Sequence, residues 1–282
     1  GNIYITGYTY SDDFPVTFDA ISGDKRGTTD IFLSRFTPDL NCDYSTYLGG
    51  SGPDFCYSII SRDSRIYLAG KTNSSDFPVT LNAYQKTRNG SSDGFIMVFN
   101  DYSVEYSTYL GGRGDDSIND ITQDILGNLY LTGWTGSDNF PLTPGAYDSS
   151  LSGVDAFVMK FSIPKGVLYS SYLGGIEADQ GYGVAVDRYQ NIYVAGKTWS
   201  SNFTVTPDAC KKNLTGLSDG FLTRFTPFII SNISVTPLNG TGPLTVTLTG
   251  NITNCGDSTG WYRLDLYING YRTAGKSVDL GG

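Results

Sequence analysis

The sequence predicts an all-β fold, a β-propeller built from ~63-residue four-stranded blades, and three observations predict it. The first is a segment that occurs four times with nearly the same letters. GNIYITGYTYSDDFPVT starts at Gly1, SRIYLAGKTNSSDFPVT at Ser64, GNLYLTGWTGSDNFPLT at Gly127 and QNIYVAGKTWSSNFTVT at Gln190, and the step from each to the next is the same. The second is that other landmarks keep the beat: an Asp-x-Phe strand entry at Asp30, Asp93, Asp155 and Asp219, and a YSTYLGG-type strand at Tyr44, Tyr106 and Tyr169. Self-similarity at so long a fixed period marks a blade or solenoid unit. The third is local. Runs of about five to eight residues rich in Tyr, Ile, Val, Phe and Thr are bounded by Gly, Asp, Asn and Ser, which is strand chemistry.

In the second unit, CYSIISR (Cys56 to Arg62) reads as a first strand and RIYLAGKT (Arg65 to Thr72) as a second. A long excursion, NSSDFPVTLNAYQKTRNGSS, delivers the chain to DGFIMVFN, and a short turn leads to VEYSTYLGG. The third strand is apolar on both faces, as expected of a strand sandwiched between neighbouring blades. Tandem four-stranded units that cannot each bury both faces form propellers, and solenoid coils are usually shorter. The chain opens at a second strand, so it reads as a piece of a longer protein. Two whole blades follow, about 55–112 and 117–175, and the fourth unit ends after its third strand at Phe225. Bare sheet edges invite aggregation, so a further strand, from an upstream segment or another subunit, is expected to pair with the blade of Asp219 to Phe225.

After Phe225 the beat stops, which sets the expected domains at 1–226 for the propeller and 227–282 for a second module. In LTVTLTGNITN, Leu244, Val246 and Leu248 alternate with Thr, a half-buried strand. WYRLDLYING then places Asn269-Gly270, a strong hairpin signal, before the returning strand YRTAGKSVDL. The segment is shorter than the ~100 residues of a complete immunoglobulin-like sandwich.

Composition narrows function. A net charge of −9 argues against nucleic acid and anionic membrane surfaces as partners, and leaves cations open. No stretch is long and apolar enough for a helical membrane span. There is no His, which removes His-based acid–base and nucleophile systems and His ligation of metals. No phosphate loop, nucleophile elbow or dinucleotide fingerprint is present. A carboxylate-pair hydrolase stays formally open. The acids that stand out, however, recur once per blade at Asp30, Asp93, Asp155 and Asp219, where an Asp side chain bonds a turn's own amides. A reactive centre needs a unique place, so these read as structural.

Export is argued from seven Asn-x-Ser/Thr sequons, at Asn73, Asn89, Asn202, Asn213, Asn232, Asn239 and Asn251. Four cysteines, Cys42, Cys56, Cys210 and Cys255, allow three fully paired connectivities and lack C-x-x-C spacing. Repeat alignment sets Cys42 and Cys56 opposite Val104 and Ile118, so both read as small buried apolar residues.

Two weaker sites are legible. Calcium is the one cofactor considered: GDDSIND supplies Asp115, Asp116 and Asp120, and DLNCD supplies Asp39, Asn41 and Asp43 at alternate positions. The second stretch lacks the Gly and the final acid of an EF-hand loop, and metal-free Asx turns compete with both. Trp134 and Trp199 follow second strands, where other copies carry Tyr8 and Lys71; they could stack on sugars or pack beneath a loop.

On these residues the chain resembles the SBBP-type β-propeller repeat of exported bacterial and archaeal surface proteins. Its pattern is similar to G-N-x-Y-x-T-G-x-T-x-S-x-D-F-P, then D-x-F, then Y-S-T-Y-L-G-G, from Gly1 to about Phe225. Asn139 and Asn202 depart from the Asp of D-F-P, and Thr204 from its Pro. The resemblance implies an extracellular propeller module and no reaction. TNCGDSTGWYRLDLYING resembles CARDB and PKD-type immunoglobulin-like modules of such proteins. The expectation is therefore a non-catalytic, extracellular cell-surface protein of an envelope layer, adhesion system or self-assembling array. Its partners would be copies of itself, other surface proteins or glycans, and the rival is a propeller that binds or acts on polysaccharide. Loops after the first and third strands are tight, whereas those after the second carry excursions of about 20 residues. Glycans and contacts are thus expected on the excursion side, leaving the tight-turn side plain.

Overall fold

A computed structural model describes residues 1–100, 103–226, 229–236, 247–253, 260–268 and 271–280, the last four stretches by their backbone. The described residues contain strands and no helix. β1 (Ile3–Thr9), β2 (Asp30–Phe36) and β3 (Cys42–Leu48) form a three-stranded antiparallel sheet. β4 (Asp54–Arg62), β5 (Arg65–Thr72), β6 (Asp93–Asn100) and β7 (Ser103–Leu110) form a four-stranded one. β8 (Asp116–Gln123), β9 (Leu129–Thr135), β10 (Asp155–Ser162) and β11 (Gly166–Leu173) repeat it. β12 (Asp179–Val186), β13 (Ile192–Thr198) and β14 (Asp219–Phe225) form a second three-stranded sheet. Within each sheet the strands pair in chain order, as consecutive propeller blades do.

The two four-stranded blades each share one core with the blade before and another with the blade after. Side chains alternate along a strand. Phe95, Met97 and Phe99 of β6 therefore pack with Ile31 and Leu33 of the preceding sheet, while Ile96 and Val98 pack with Ile118 and Leu131 of the following one. This explains the continuous apolar run DGFIMVF, buried at every position. β14, the same strand in the last sheet, alternates between half-buried and exposed because no further blade covers it among the described residues.

The repeated motifs keep phase because they touch each other. The Phe of each D-F-P motif lies on the Phe of Asp-x-Phe, with centroids 4.6 Å apart for Phe14 and Phe32 and 4.8 Å for Phe77 and Phe95. The second Tyr of YSTYLGG holds the excursion in place. Tyr109 Oη accepts from the Phe77 amide at 3.0 Å and donates to the Ser74 carbonyl at 2.8 Å, and Tyr47 does the same for Phe14 and Ser11. The excursion then crosses its own blade to the outer strand, where Thr80 N donates to Ser107 O. At the opposite end β4 turns into β5 through Asp63 and Ser64, both at positive φ (51° and 62°), the two-residue turn whose twist suits a hairpin.

Two expectations change. The first strand of a blade begins at Asp54 rather than Cys56, which brings an Asp into the inner strand. Cys56 is buried and its thiol is pushed up to about 11 by burial, but Cys42 is exposed, because β3 enters its sheet from an open turn. No fourth strand pairs with β14 among the described residues. Past residue 226, β15 (Ile229–Thr236) pairs with β16 (Thr247–Thr253), and β17 (Gly260–Ile268) with β18 (Tyr271–Leu280), as two separate antiparallel pairs. These pairings are hairpin-like and do not by themselves make a sandwich. Leu244, Val246, Asn269 and Gly270 lie outside the described residues.

Candidate functional site

Polar chemistry gathers at two places: the seams between blades, and the mouth where the inner strands β4, β8 and β12 begin. Each inner strand opens on a fully buried Asp, Asp54, Asp116 or Asp179. Asp116 Oδ2 accepts from the Gly112 amide and from Ser137 Oγ, both at 2.7 Å, and Oδ1 accepts from Thr135 Oγ1. Gly50, Ser74 and Thr72 hold Asp54 in the same way, and Gly175 and Ser200 hold Asp179. The glycine belongs to one blade and the hydroxyls to the next, so a single carboxylate ties two blades together.

The Asp of the third strand reaches the same seam from the neighbouring blade. A Cβ on Gly111 would stand 2.6 Å from Asp116 Oδ2 and 2.9 Å from Asp93 Cγ, so only glycine admits the two carboxylates there. Burial raises Asp54, Asp116 and Asp155, and a facing carboxylate adds to it in each. Asp54 and Asp116 are pushed up to about 6, with Asp30 and Asp93 contributing, and Asp155 to about 7, with Asp179 and Asp148 contributing. Burial also raises Asp93 and Asp179. At the open edge the picture inverts: Lys211 bonds Asp219 at 2.8 Å and holds it below the usual carboxylate range.

The mouth is built differently. β4, β8 and β12 each carry one bulge, at Cys56/Ser58, Ile118/Asp120 and Gly181/Gly183. The extra residues are Tyr57, Asn119 and Tyr182. A bulge takes its residue out of the ladder and re-aims the side chain. All three side chains line one open pocket of about 330 Å³, together with Ser117, Trp134 and Gln180. Tyr57 and Tyr182 are 45% and 52% exposed. Ser117 Oγ donates to Asn119 Oδ1 at 3.0 Å, Asn119 Nδ2 donates to the Gly181 carbonyl at 2.8 Å, and Tyr182 Oη donates to Gln180 Oε1 at 2.7 Å. Lys71 Nζ sits 5.1 Å from the centre of the Trp134 ring. Aromatic packing continues from Tyr57 to Phe55 and on to Tyr8, with centroids 6.2 and 5.0 Å apart.

The calcium candidates are not brought together. Asp115 accepts from Ser91 and Ser92 hydroxyls, Asp116 is enclosed in its seam, and Asp120 accepts from Ser58 Oγ and the Val184 amide. Asp115 stands just before β8, and the bulge at Ile118/Asp120 shifts the alternation between Asp116 and Asp120, so closeness in sequence does not bring the three together. Asp43 is bonded to Arg35 at 2.9 Å, which lowers its pKa, while Asp39 and Asn41 stand exposed at the turn before β3. Among the described residues no three acidic or Cys side chains converge as a metal site would require.

Of Trp134 and Trp199, Trp134 lines the mouth. Trp199 does not; it takes the repeat position of Tyr10, under Lys197 Nζ at 4.1 Å. Asn89, Asn202 and Asn213 are exposed and Asn73 is half-buried, all on the excursions. Asn232 and Asn251 lie in β15 and β16, and Asn239 is outside the described residues. Leu40, Ile125, Leu126 and Tyr189 stand exposed at the tight-turn end, and Phe18, Leu81, Val205 and Leu217 on the excursions.

Sequence reasoning missed Asp54 and Asp179, although a signal existed: G-G-x-x-x-D from Gly49, Gly111 and Gly174 places Asp54, Asp116 and Asp179 in register. It also missed the bulge residues as a set, because no local letter marks the bulge and Asn119 stands where the other two copies carry Tyr.

The family model of the beta-propeller repeat SBBP matches residues 43–78, 105–141 and 168–204. These three segments are SBBP beta-propeller repeats. Each runs from the outer strand of one blade through the inner strand and D-F-P motif of the next, so the SBBP unit spans a seam. No curated protein matches the chain.

Proposed function

We propose that the chain is a non-catalytic extracellular protein of a prokaryotic, archaeal surface. Its SBBP propeller would serve as a rigid scaffold in an envelope layer, in adhesion or in a self-assembling array. The observation that carries this reading is how the recurring acids are used. Asp54, Asp116 and Asp179 hold blade to blade through buried hydrogen bonds, an arrangement suited to rigidity. The exposed sequons on the excursions support export, and the segment 227–282 is proposed as a CARDB/PKD-like immunoglobulin-type module. Intact-protein mass spectrometry of the chain from its native envelope tests export directly. Heterogeneous glycan on Asn73, Asn89, Asn202 or Asn213 is the expected result, and the mass of the bare polypeptide would sink it.

A further inference from the structure

We infer that the mouth formed by Tyr57, Asn119, Trp134, Gln180 and Tyr182 binds a neutral saccharide. The pocket lining carries no carboxylate to hold a metal ion and no guanidinium to clasp a phosphate, and the nearby Lys71 ammonium is engaged over the Trp134 ring. It is open and carries Ser117, Asn119 and Gln180, which does not suit a fatty chain. A quaternary ammonium group would meet Lys71, whose ammonium already lies 5.1 Å from the Trp134 ring centre.

A sugar ring fits on each count. It presents a face of C–H groups to an aromatic side chain and a rim of hydroxyls that both donate and accept. Tyr57, Trp134 and Tyr182 supply the flat apolar surfaces. Asn119 is fixed by bonds at both ends of its amide, to Ser117 Oγ and the Gly181 carbonyl, so its ordering is complete before a ligand arrives. Gln180, in the lining, accepts from Tyr182 through Oε1, which leaves its amide nitrogen available to donate. The volume of about 330 Å³ is at the small end of ligand sites, which favours a terminal sugar over the middle of a long chain.

Placement supports the same conclusion. The bulge recurs in β4, β8 and β12, but its residue is Tyr, Asn and Tyr. The last-but-one residue of the second strand is Tyr8, Lys71, Trp134 or Lys197. A position that keeps its backbone irregularity while varying its side chain provides an asymmetric surface on a symmetric frame, as recognition of one ligand requires.

The test is isothermal titration and saturation-transfer NMR of the full chain with the methyl glycosides of glucose, galactose, mannose and N-acetylglucosamine. Saturable binding of at least one is expected. Trp134→Ala should weaken it about tenfold and Gln180→Ala about threefold, whereas Ile125→Ser at the opposite end should leave it unchanged. Should Trp134→Ala fail to fold, the exposed Tyr57→Ala replaces it. Absence of saturable binding to all four, recognition confined to acidic sugars, or binding indifferent to the mouth variants would overturn the inference. The site goes beyond the scaffold reading. Loss of sugar binding leaves that reading intact, whereas turnover of a bound oligosaccharide would overturn its non-catalytic part and keep the site.

Discussion

The seam and the mouth lie within a few residues of each other along β4, β8 and β12, yet they obey opposite rules. At the seam, Asp54, Asp116 and Asp179 have equivalent glycine and serine partners in every copy. At the mouth, Tyr57, Asn119 and Tyr182 share a bulge while their chemistry varies. Groups that pack blade against blade are constrained by buried partners on both sides, and a replacement leaves donors unsatisfied. Groups at the mouth face solvent and are free to differ. Repetition in this chain marks structure, and departure from repetition marks the place where recognition can occur.

The sharpest way to break this comparison is Asp116→Ala, which strands the Gly112 amide and the Thr135 and Ser137 hydroxyls in a buried seam. A loss of about 3–5 kcal/mol is expected in chemical denaturation, close to global unfolding for a marginal domain. Asp219→Ala, at the open edge, should leave the denaturation midpoint nearly unchanged, because its bond to Lys211 lies at the surface and solvent screens it. Equal losses at the two sites would remove the distinction between seam and edge.

Tyr109→Phe comes next. It removes the hydroxyl that joins the Phe77 amide to the Ser74 carbonyl and should cost about 1–3 kcal/mol, with earlier proteolysis in the 73–92 excursion. Unchanged protease sensitivity would mean that the excursion is held by the Phe77–Phe95 contact alone.

The pH dependence sharpens the comparison further. Asp54 and Asp116 at about 6 and Asp155 at about 7 stand above the ~3.9 of an unfolded Asp, so the folded chain binds more protons between about pH 4 and 7. Stability should therefore rise as pH falls from about 8 to about 5, by several degrees in Tm, and turn down below about pH 4, where carboxylates held low such as Asp115 and Asp124 take up protons. Asp116→Asn should flatten part of that rise, since the amide keeps an acceptor and no longer titrates. A Tm that falls steadily over the same range would show that these carboxylates stay charged.

The smallest effect belongs to the mouth. Tyr182→Ala should change stability by no more than about 0.5 kcal/mol, as expected for a half-exposed side chain away from the core. A loss above about 2 kcal/mol would place Tyr182 among the packing residues.

The sequence by itself determined the class, the beat and the four strands of a blade, because hydrophobic alternation and turn chemistry are local and the repeat states them several times over. DGFIMVF announced a strand buried on both faces, and every one of its residues is buried. The third-strand Asp residues were legible as structural for the same reason, since a per-blade residue cannot be a unique centre. Tertiary structure alone decided what those acids touch. Asp93 and Asp116 belong to different blades and meet across a seam, where Gly111 leaves room for both carboxylates. It also dispersed Asp115, Asp116 and Asp120, which looked like ligands of one ion, because Asp115 lies before the strand and the bulge at Ile118/Asp120 turns Asp120 away from the face of Asp116. The mouth was hidden most completely. Tyr57, Asn119 and Tyr182 belong to three different sheets and do not share one chemistry, and only the bulges in β4, β8 and β12 bring them to one opening.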